Sequence, residues 1–555
     1  MLAVALAAAL VGGIAGTRSA AASDERVSVI VRQLPGAGGA PQALVEQAGG
    51  TVGRRLGIID GFTAVLPKAS LARLRASHAV RSVTVNQPVR LASADGLAAD
   101  ASGTVRQVAE RLTGAGDYWD DGLTGRGVDV ALLDSGVVEV DGLDGDDKVV
   151  YGPDLSFENH RADLRNQDTY GHGTHMAGII AGRDDDGRAA RQANGFAGMA
   201  PGARLVSLKL ADAGGATDVS QVIAGIDWVV QHRNRHGLNI RVLNLSFGTD
   251  GVQDYRIDPL AYAVEVAWRK GIVVVVAAGN EGFGSAKLNN PAYDPHVLAI
   301  GAADTAGTAD RGDDTVPSWS SRGDGTRNPD LVAPGTSIVS LRDPGSAIDL
   351  AYPTARVGDR FFKGTGTSQA AAVVSGAAAL VIQQRPGITP DQVKKLLTRT
   401  ARPLRKADPA AQGDGMLDLA AAHDRPTPPA SASTQRFVYS TGTGSLEAAR
   451  GTMHVQSDTG EALVGEQDAR GETWDGRTWS DAAWDGRTWW GGTWTGRTWS
   501  GGTWSGRTWS GRTWSSGSWE GRTWSGRTWS GRTWSGRTWS GRTWSGRTWS
   551  SDGWY

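Results

Sequence analysis

Ser368 stands in Gly364-Thr365-Gly366-Thr367-Ser368-Gln369-Ala370-Ala371, a Gly/Thr turn that runs straight into a small-residue stretch, 370–380, reading as a buried helix. A hydroxyl at a helix N-terminus lies among unpaired backbone N–H groups at the positive end of the helix dipole, and both favour a developing anion. Such a serine acts as a nucleophile only where a histidine base and an orienting carboxylate can reach it. Two other glycine-bounded motifs offer these groups. Asp134 closes the apolar run 128–133 and precedes Ser135-Gly136. A carboxylate at a strand end, with glycine behind it, is placed to hold an imidazole, although Asp-Ser-Gly is also an ordinary turn. His172 opens a small-residue helix in Tyr170-Gly171-His172-Gly173-Thr174-His175-Met176-Ala177-Gly178. His172 and His175 could instead ligate a metal from one helix face, but no His-Glu-x-x-His pattern or third ligand accompanies them. His175 also reads as a packed histidine. Asn280, in Val276-Ala277-Ala278-Gly279-Asn280-Glu281-Gly282, follows the most hydrophobic strand candidate of the chain. Asparagine at a glycine turn commonly serves the backbone alone. Its amide could also donate to the oxyanion formed when Ser368 attacks a carbonyl.

The elements that must position these groups follow from periodicity. Short runs rich in Val, Leu and Ile at 128–133, 204–209, 242–246 and 272–277 alternate with helical patterns at 172–181, 218–236 and 260–270. That alternation predicts an α/β body whose mainly parallel sheet carries helices on both faces. Sites in such sheets lie beyond the carboxyl ends of the strands, where Asp134 and Asn280 fall. Upstream, 25–92 reads β-α-β-β-α-β, the order of a ferredoxin-like α+β unit. Residues 93–104 are Ala/Ser/Gly/Asp-rich and lack apolar periodicity, as an exposed, cleavable linker would.

The chain has 555 residues, which is too many for one core. It has no cysteine, and this excludes disulfides and thiolate metal sites. Residues 1–22 combine a short apolar stretch with a small-residue end at Ser19-Ala20-Ala21-Ala22, matching a secretory signal peptide better than a membrane span, though without a basic start. No other segment reads as a transmembrane helix. The chain is therefore expected to be secreted or associated with the cell surface.

Taken together, Asp134, His172, Asn280 and Ser368, in this order and these contexts, resemble the subtilisin-like serine proteases, or subtilases, over residues 25–424. The resemblance implies a three-layer catalytic domain over 105–424, with 25–92 as its inhibitory propeptide. It gives Ser368 the part of nucleophile, His172 that of general base and then acid, Asp134 that of orienting carboxylate, and Asn280 that of oxyanion-hole donor. It implies that Ser246, Phe247 and Gly248 pair with extended protein or peptide substrates, and that Ala277, Ala278 and Gly279 line the pocket for the residue before the cut. Phe247 replaces a smaller aliphatic residue usual in the family, so no pocket preference is assigned. No cofactor is needed for the chemistry. Structural calcium is a family expectation without assigned ligands. The acidic loop 183–194, with Asp184-Asp185-Asp186, stands where relatives have a shorter calcium-binding segment. Asn290-Pro291 stands where relatives carry a cis proline.

Residues 425–470 begin as a Pro/Ser/Thr linker and carry no interpretable motif. From 471 to 555 a Gly-Arg-Thr-Trp-Ser repeat takes over, with Trp at every fifth position from Trp474 to Trp554 and Trp490 as an extra. Successive Trp at that interval share no face of one helix or one strand, so the repeat predicts a flexible or repetitive extended segment rather than a conventional core. From Thr473 onward eleven Arg face five acidic residues, although the whole chain has a formal net charge of −1. Cell-surface polysaccharide is the leading ligand for such a tail, followed by an anionic membrane interface and then single-stranded nucleic acid; a spacer, a self-assembling segment or a low-complexity expansion with no dedicated ligand is the remaining reading. An alternative to the exported zymogen is a surface-binding protein whose protease domain serves mainly its own processing.

Overall fold

The computed structural model describes residues 26–34, 36–56, 61–85, 104–145, 147–159, 161, 163–184, 195–251, 253–284, 287–308, 310–455, 462–469 and 473–474; within the repeat it describes the backbone of 493–494, 498–504, 508–519, 523–534 and 538–546. The expected signal peptide and nearly all of the expected cleavable linker lie outside these residues. The chain divides into two compact units, Met1–Arg90 and Leu91–Tyr555.

In the first unit, strands β1 (Arg26–Gln33), β2 (Thr51–Leu56), β3 (Gly61–Pro67) and β4 (Val80–Val85) form an antiparallel sheet in the order β2-β3-β1-β4. The helices Ala40–Gln47 and Leu71–Arg75 complete the β-α-β-β-α-β order. Val29, Val31, Phe62, Ala64 and Leu66 alternate along the paired strands and are buried with Val45 and Leu74 from the helices. This is the one-faced core that period-two patterning specifies.

The second unit is built on seven strands: β5 (Asp129–Asp134), β6 (Val149–Asp154), β7 (Arg204–Lys209), β8 (Ile240–Leu245), β9 (Val273–Ala277), β10 (Leu298–Ala303) and β11 (Leu331–Pro334). All adjacent pairs are parallel, in the order β11-β10-β9-β8-β5-β7-β6. The helices His172–Ala181 and Thr367–Gln384 pack together, as do Val219–His232 and Pro259–Arg269. Leu133 lies against Gly225 of one pair while its neighbour Asp134 bonds His172 of the other. Adjacent strand residues point to opposite faces, so the two pairs cover the two sides of the sheet. From β5 the chain goes to the edge strand β6, returns to β7 beside β5, then crosses to β8 and winds outward to β11, which puts the carboxyl end of β5 near the reversal of strand order where such sheets open a crevice. A small antiparallel sheet of β12 (Ile338–Leu341), β13 (Arg356–Val357) and β14 (Phe361–Gly364) leads directly into the Ser368 turn.

The described residues between 425 and 474 pack on the catalytic body rather than hanging from it. Leu446, Ala449 and Trp474 join its main core. Gln253 Nε2 donates to Ser445 O at 2.7 Å, and Ser440 N donates to both carboxylate oxygens of Glu265 at 2.9 and 2.8 Å. Burying Arg450 and the first repeat tryptophan fixes this stretch as a strap. Its pattern escapes a reading by periodicity because it makes tertiary contacts without long elements.

The repeat backbone forms β15 (Thr493–Trp494), β16 (Thr498–Trp504), β17 (Thr508–Trp519), β18 (Thr523–Trp534) and β19 (Thr538–Gly546). They pair in parallel, and paired residues lie fifteen positions apart.

Candidate active site

Asp134 ends β5 and His172 begins its helix, and the two meet: His172 Nδ1 lies 2.7 Å from Asp134 Oδ1. The glycines around His172 permit this approach by packing tightly. Gly171 has φ +100°, and a Cβ there would come within 2.3 Å of Ser346 Oγ; a Cβ on Gly173 would lie 2.1 Å from Gly136 O. Burial alone would lower the imidazole pKa, but the charge and hydrogen bond of Asp134, with the charge of Asp168, hold it above its usual value. With Nδ1 engaged by the carboxylate, the other nitrogen is left for proton transfer. His175 is buried and both its ring nitrogens lack a hydrogen-bond partner. Burial, aided by the nearby His172, depresses its pKa to about 3, so it is a neutral packing residue.

Ser368 is the second residue of the helix Thr367–Gln384. The side chain of Asn280, just past β9, is held by Thr367: Thr367 N and Oγ1 donate to Asn280 Oδ1 at 2.9 and 3.0 Å. That arrangement turns the amide nitrogen away from Thr367. Asn280 Nδ2 and Ser368 N both lie 3.7 Å from the point where a Cβ on Gly366 would stand. Both N–H donors thus border the same space beside Gly366, two residues before Ser368. The Ser368 helix is tied to the sheet by Ser375 Oγ donating to Asn244 Oδ1 at 2.8 Å, while Asn244 Nδ2 donates to Ser246 Oγ at 3.0 Å.

Ser246, Phe247 and Gly248 follow β8, and Ala277, Ala278 and Gly279 close β9 and its turn. Asn289 joins the two segments. Its N–H donates to Ala278 O at 3.1 Å, and its Cβ would lie 2.8 Å from a Cβ on Gly248. The Asn290-Pro291 bond is cis.

Three supporting residues escaped the sequence reading. Thr367 orients Asn280. Ser135 Oγ accepts from Gly173 N at 2.9 Å. Asp168 accepts from Ser135 Oγ, Gly171 N and Thr174 N, each at 2.7 Å, so one buried carboxylate ties the Asp134 turn to the start of the His172 helix. The only hint of it in the sequence is an acidic residue four positions before His172, where a helix N-terminus favours negative charge.

Among the described residues, no group of three or more His, Asp or Glu side chains is arranged to hold a metal ion. Asp184, first of the three adjacent acids, pairs with Arg360 and accepts from Phe196 N at 2.7 Å. Asp185 and Asp186 lie outside the described residues. No helix among the described residues is long and apolar enough to cross a membrane.

The segment that holds these residues is also similar to known proteins. The sequence profile of the subtilase family matches residues 125–423. The chain is 38% identical to serine protease AprX of Bacillus subtilis (strain 168) over 307 residues, which are 53% of this chain and 66% of that protein. It is 33% identical to Subtilisin Savinase of Lederbergia lenta over 305 residues, 54% of this chain and 92% of the relative. Subtilisin-like protease 9 of Arthroderma otae is 28% identical over 350 residues, 62% of this chain and 75% of the relative. The match thus spans just under two thirds of AprX, and none of these alignments reaches the whole of the present chain.

Proposed function

The chain belongs to the subtilase family and its matched segment is a serine-type endopeptidase domain; from that premise we propose that the whole protein is an exported endopeptidase made as a self-processing zymogen. In this reading Ser368 Oγ attacks the scissile carbonyl carbon and its proton passes to His172, which Asp134 orients and stabilises in the charged form. Ser368 N–H and Asn280 Nδ2 receive the oxyanion. His172 then protonates the leaving amine, and water hydrolyses the acyl-enzyme. Ser246, Phe247 and Gly248 offer backbone to extended substrate, and Ala277, Ala278 and Gly279 wall the pocket beside it. The observation that carries the proposal is the 2.7 Å Asp134–His172 contact, supported by the Asn280 Nδ2 and Ser368 N donors that border the space beside Gly366.

Residues 25–92 are assigned as an inhibitory propeptide on their β-α-β-β-α-β order and their place ahead of the catalytic domain, with release near 92–105. The repeat tail is assigned to retention at the cell surface, with polysaccharide as the ligand best suited to many Trp, Ser and Thr side chains. The deciding experiment treats the purified zymogen with a fluorophosphonate probe and locates the label by mass spectrometry. Label on Ser368 with loss of the N-terminal fragment is expected. Normal self-processing of a Ser368→Ala chain would sink the mechanism, since losing the nucleophile costs subtilisin about 10⁶-fold in kcat. Deleting 475–555 should release the protein from cells while peptide hydrolysis continues. If hydrolysis is confined to self-processing, the protein is chiefly a surface binder.

A further inference from the structure

The tail strands pair with a constant offset. Thr508 lies beside Thr523, Trp509 beside Trp524 and Ser510 beside Ser525, and the same steps run from β18 to β19, as in Trp529 beside Trp544. Three five-residue repeats make fifteen, so nearly every residue lies beside its own kind; the exceptions exchange Ser with Gly or Thr, as at Gly501/Ser516 and Thr503/Ser518. The pairing skips one position in each repeat, at 502/517, 512/527, 517/532 and 527/542. These are the Arg positions or their Gly replacements. A chain that runs parallel to itself at a fixed offset returns to its starting line every fifteen residues, so the described tail backbone has the pairing of a solenoid, interrupted at the Gly-Arg steps.

Solenoids end in capping turns whose sequence differs from the repeat, because a bare last strand offers a row of unpaired N–H and C=O groups to any matching strand. Among the described residues β19 pairs only with β18. Of the sequence after it, Arg547-Thr548-Trp549-Ser550 continues the repeat, and Ser551-Asp552-Gly553-Trp554-Tyr555 keeps only its Trp interval. What β18 presents to β19 is therefore what β19 presents outward, and the segment best matched to that edge is another copy of the repeat. A five-residue slip restores nearly the same match, so a second chain can dock in several registers without mismatch.

We propose that the tail is a homotypic docking module, in which the edge strand β19 pairs in parallel with the repeat of a second copy of this chain. Such a contact is head-to-tail and does not close on itself, so it builds linear assemblies. Stacked identical Arg positions, such as 512, 527 and 542, recur at the strand spacing of about 4.8 Å and oppose growth at low ionic strength. Salt should therefore promote assembly, opposite to its effect on binding an anionic membrane or nucleic acid.

The test uses the full Ser368→Ala chain, which the proposed mechanism makes inactive as a protease and whose intact mass is checked first, in sedimentation equilibrium without added polysaccharide or lipid. Its average mass should rise with concentration from about 1 to about 100 µM. It should rise further between about 0.05 and about 0.5 M NaCl. A chain ending at Trp474 should remain monomeric throughout. Charges on an edge strand blunt pairing, so Ser540→Lys with Ser545→Lys should shift association to concentrations at least about tenfold higher while leaving the inner turns intact. A full chain that stays monomeric at every salt would overturn the proposal and leave polysaccharide or a membrane as the tail's occupant. An edge variant that assembles as well as its parent would overturn it too, because association would then come from the Trp side chains at large.

Discussion

Asp134, which ends β5 and meets the first residue of the His172 helix, and Asp218, which caps the helix Val219–His232, both have side chains almost closed to solvent, yet they are completed in different ways. Asp218 caps the helix Val219–His232: its Oδ1 accepts from Ser220 N at 2.9 Å, and it shares a capping box with Gln221. Arg450 of the strap bonds Asp218 Oδ2 through Nε at 2.6 Å and Oδ1 through Nη2 at 3.2 Å, with side-chain exposures of 0% and 1% for the pair. Arginine keeps its proton at any physiological pH, so this is a permanent clamp. Asp134 instead holds an imidazole that is 24% exposed and able to gain and lose a proton, and Asp134 Oδ2 has no hydrogen-bond partner. Full saturation around a fixed charge makes a fastening. Partial saturation around a titratable ring, with access from outside, leaves room for a proton to move.

That contrast breaks first at Asp134. Asp134→Asn should lower kcat by about 10⁴-fold with little change in unfolding midpoint, because the amide would hold the wrong tautomer of His172. A loss below about tenfold would deny the carboxylate its orienting part. Arg450→Ala should do the reverse. It strands a buried carboxylate and should cost about 3–5 kcal/mol, read as a lower urea midpoint in the Ser368→Ala background, while kcat of the folded enzyme carrying Ser368 stays near the parent value. An unchanged midpoint would mean the strap is a passenger. Thr367→Val sharpens the comparison on a smaller scale. Thr367 N still donates to Asn280 Oδ1 after the hydroxyl is lost, so kcat should fall only about tenfold with KM nearly constant. A change in KM alone would move Thr367 from the oxyanion donor to substrate binding.

Much of this architecture was legible in the sequence because local pattern and tertiary role coincide. The helix His172–Ala181 and the strand Arg204–Lys209 have the bounds their patterns predict, and the runs ending at Leu133, Ser246 and Ala277 all became central strands within two residues. β10, Leu-Ala-Ile-Gly-Ala-Ala, and the four-residue β11 were not legible, since small residues and short length carry no period. The strap escaped for a related reason: Arg450, an ordinary surface residue by type, is buried only because Asp218 waits 232 positions away. The tail repeat, read one strand at a time, has no common face. Its fifteen-residue order exists only between turns. At the site, the glycine-bounded motifs drew attention to Asp134, His172, Asn280 and Ser368, whereas Thr367 and Asp168 have types common at any turn and acquire their parts only through contacts.

Asp168 supplies the smallest expected effect and the finest division between fastening and site. It is as buried as Asp218, and it accepts three hydrogen bonds as a structural residue would, but its charge also reaches His172. The base must be neutral to take the Ser368 proton, so activity should rise as pH climbs through the His172 pKa, which lies above the usual value of about 6.5. Burial pulls that pKa down while Asp134 and Asp168 push it up; His175, on the same helix, stays neutral and adds no charge. Asp168→Asn removes one of the two raising charges and leaves the Asp134 contact untouched. The acid limb of kcat/KM should therefore move to lower pH. The new amide faces the donor Thr174 N–H on one side, so some loss of thermal stability will accompany the shift. Only the pH limb separates the two parts: a lower melting temperature with the limb in place would make Asp168 a second Asp218, whereas a displaced limb would make it a positioning residue for the base.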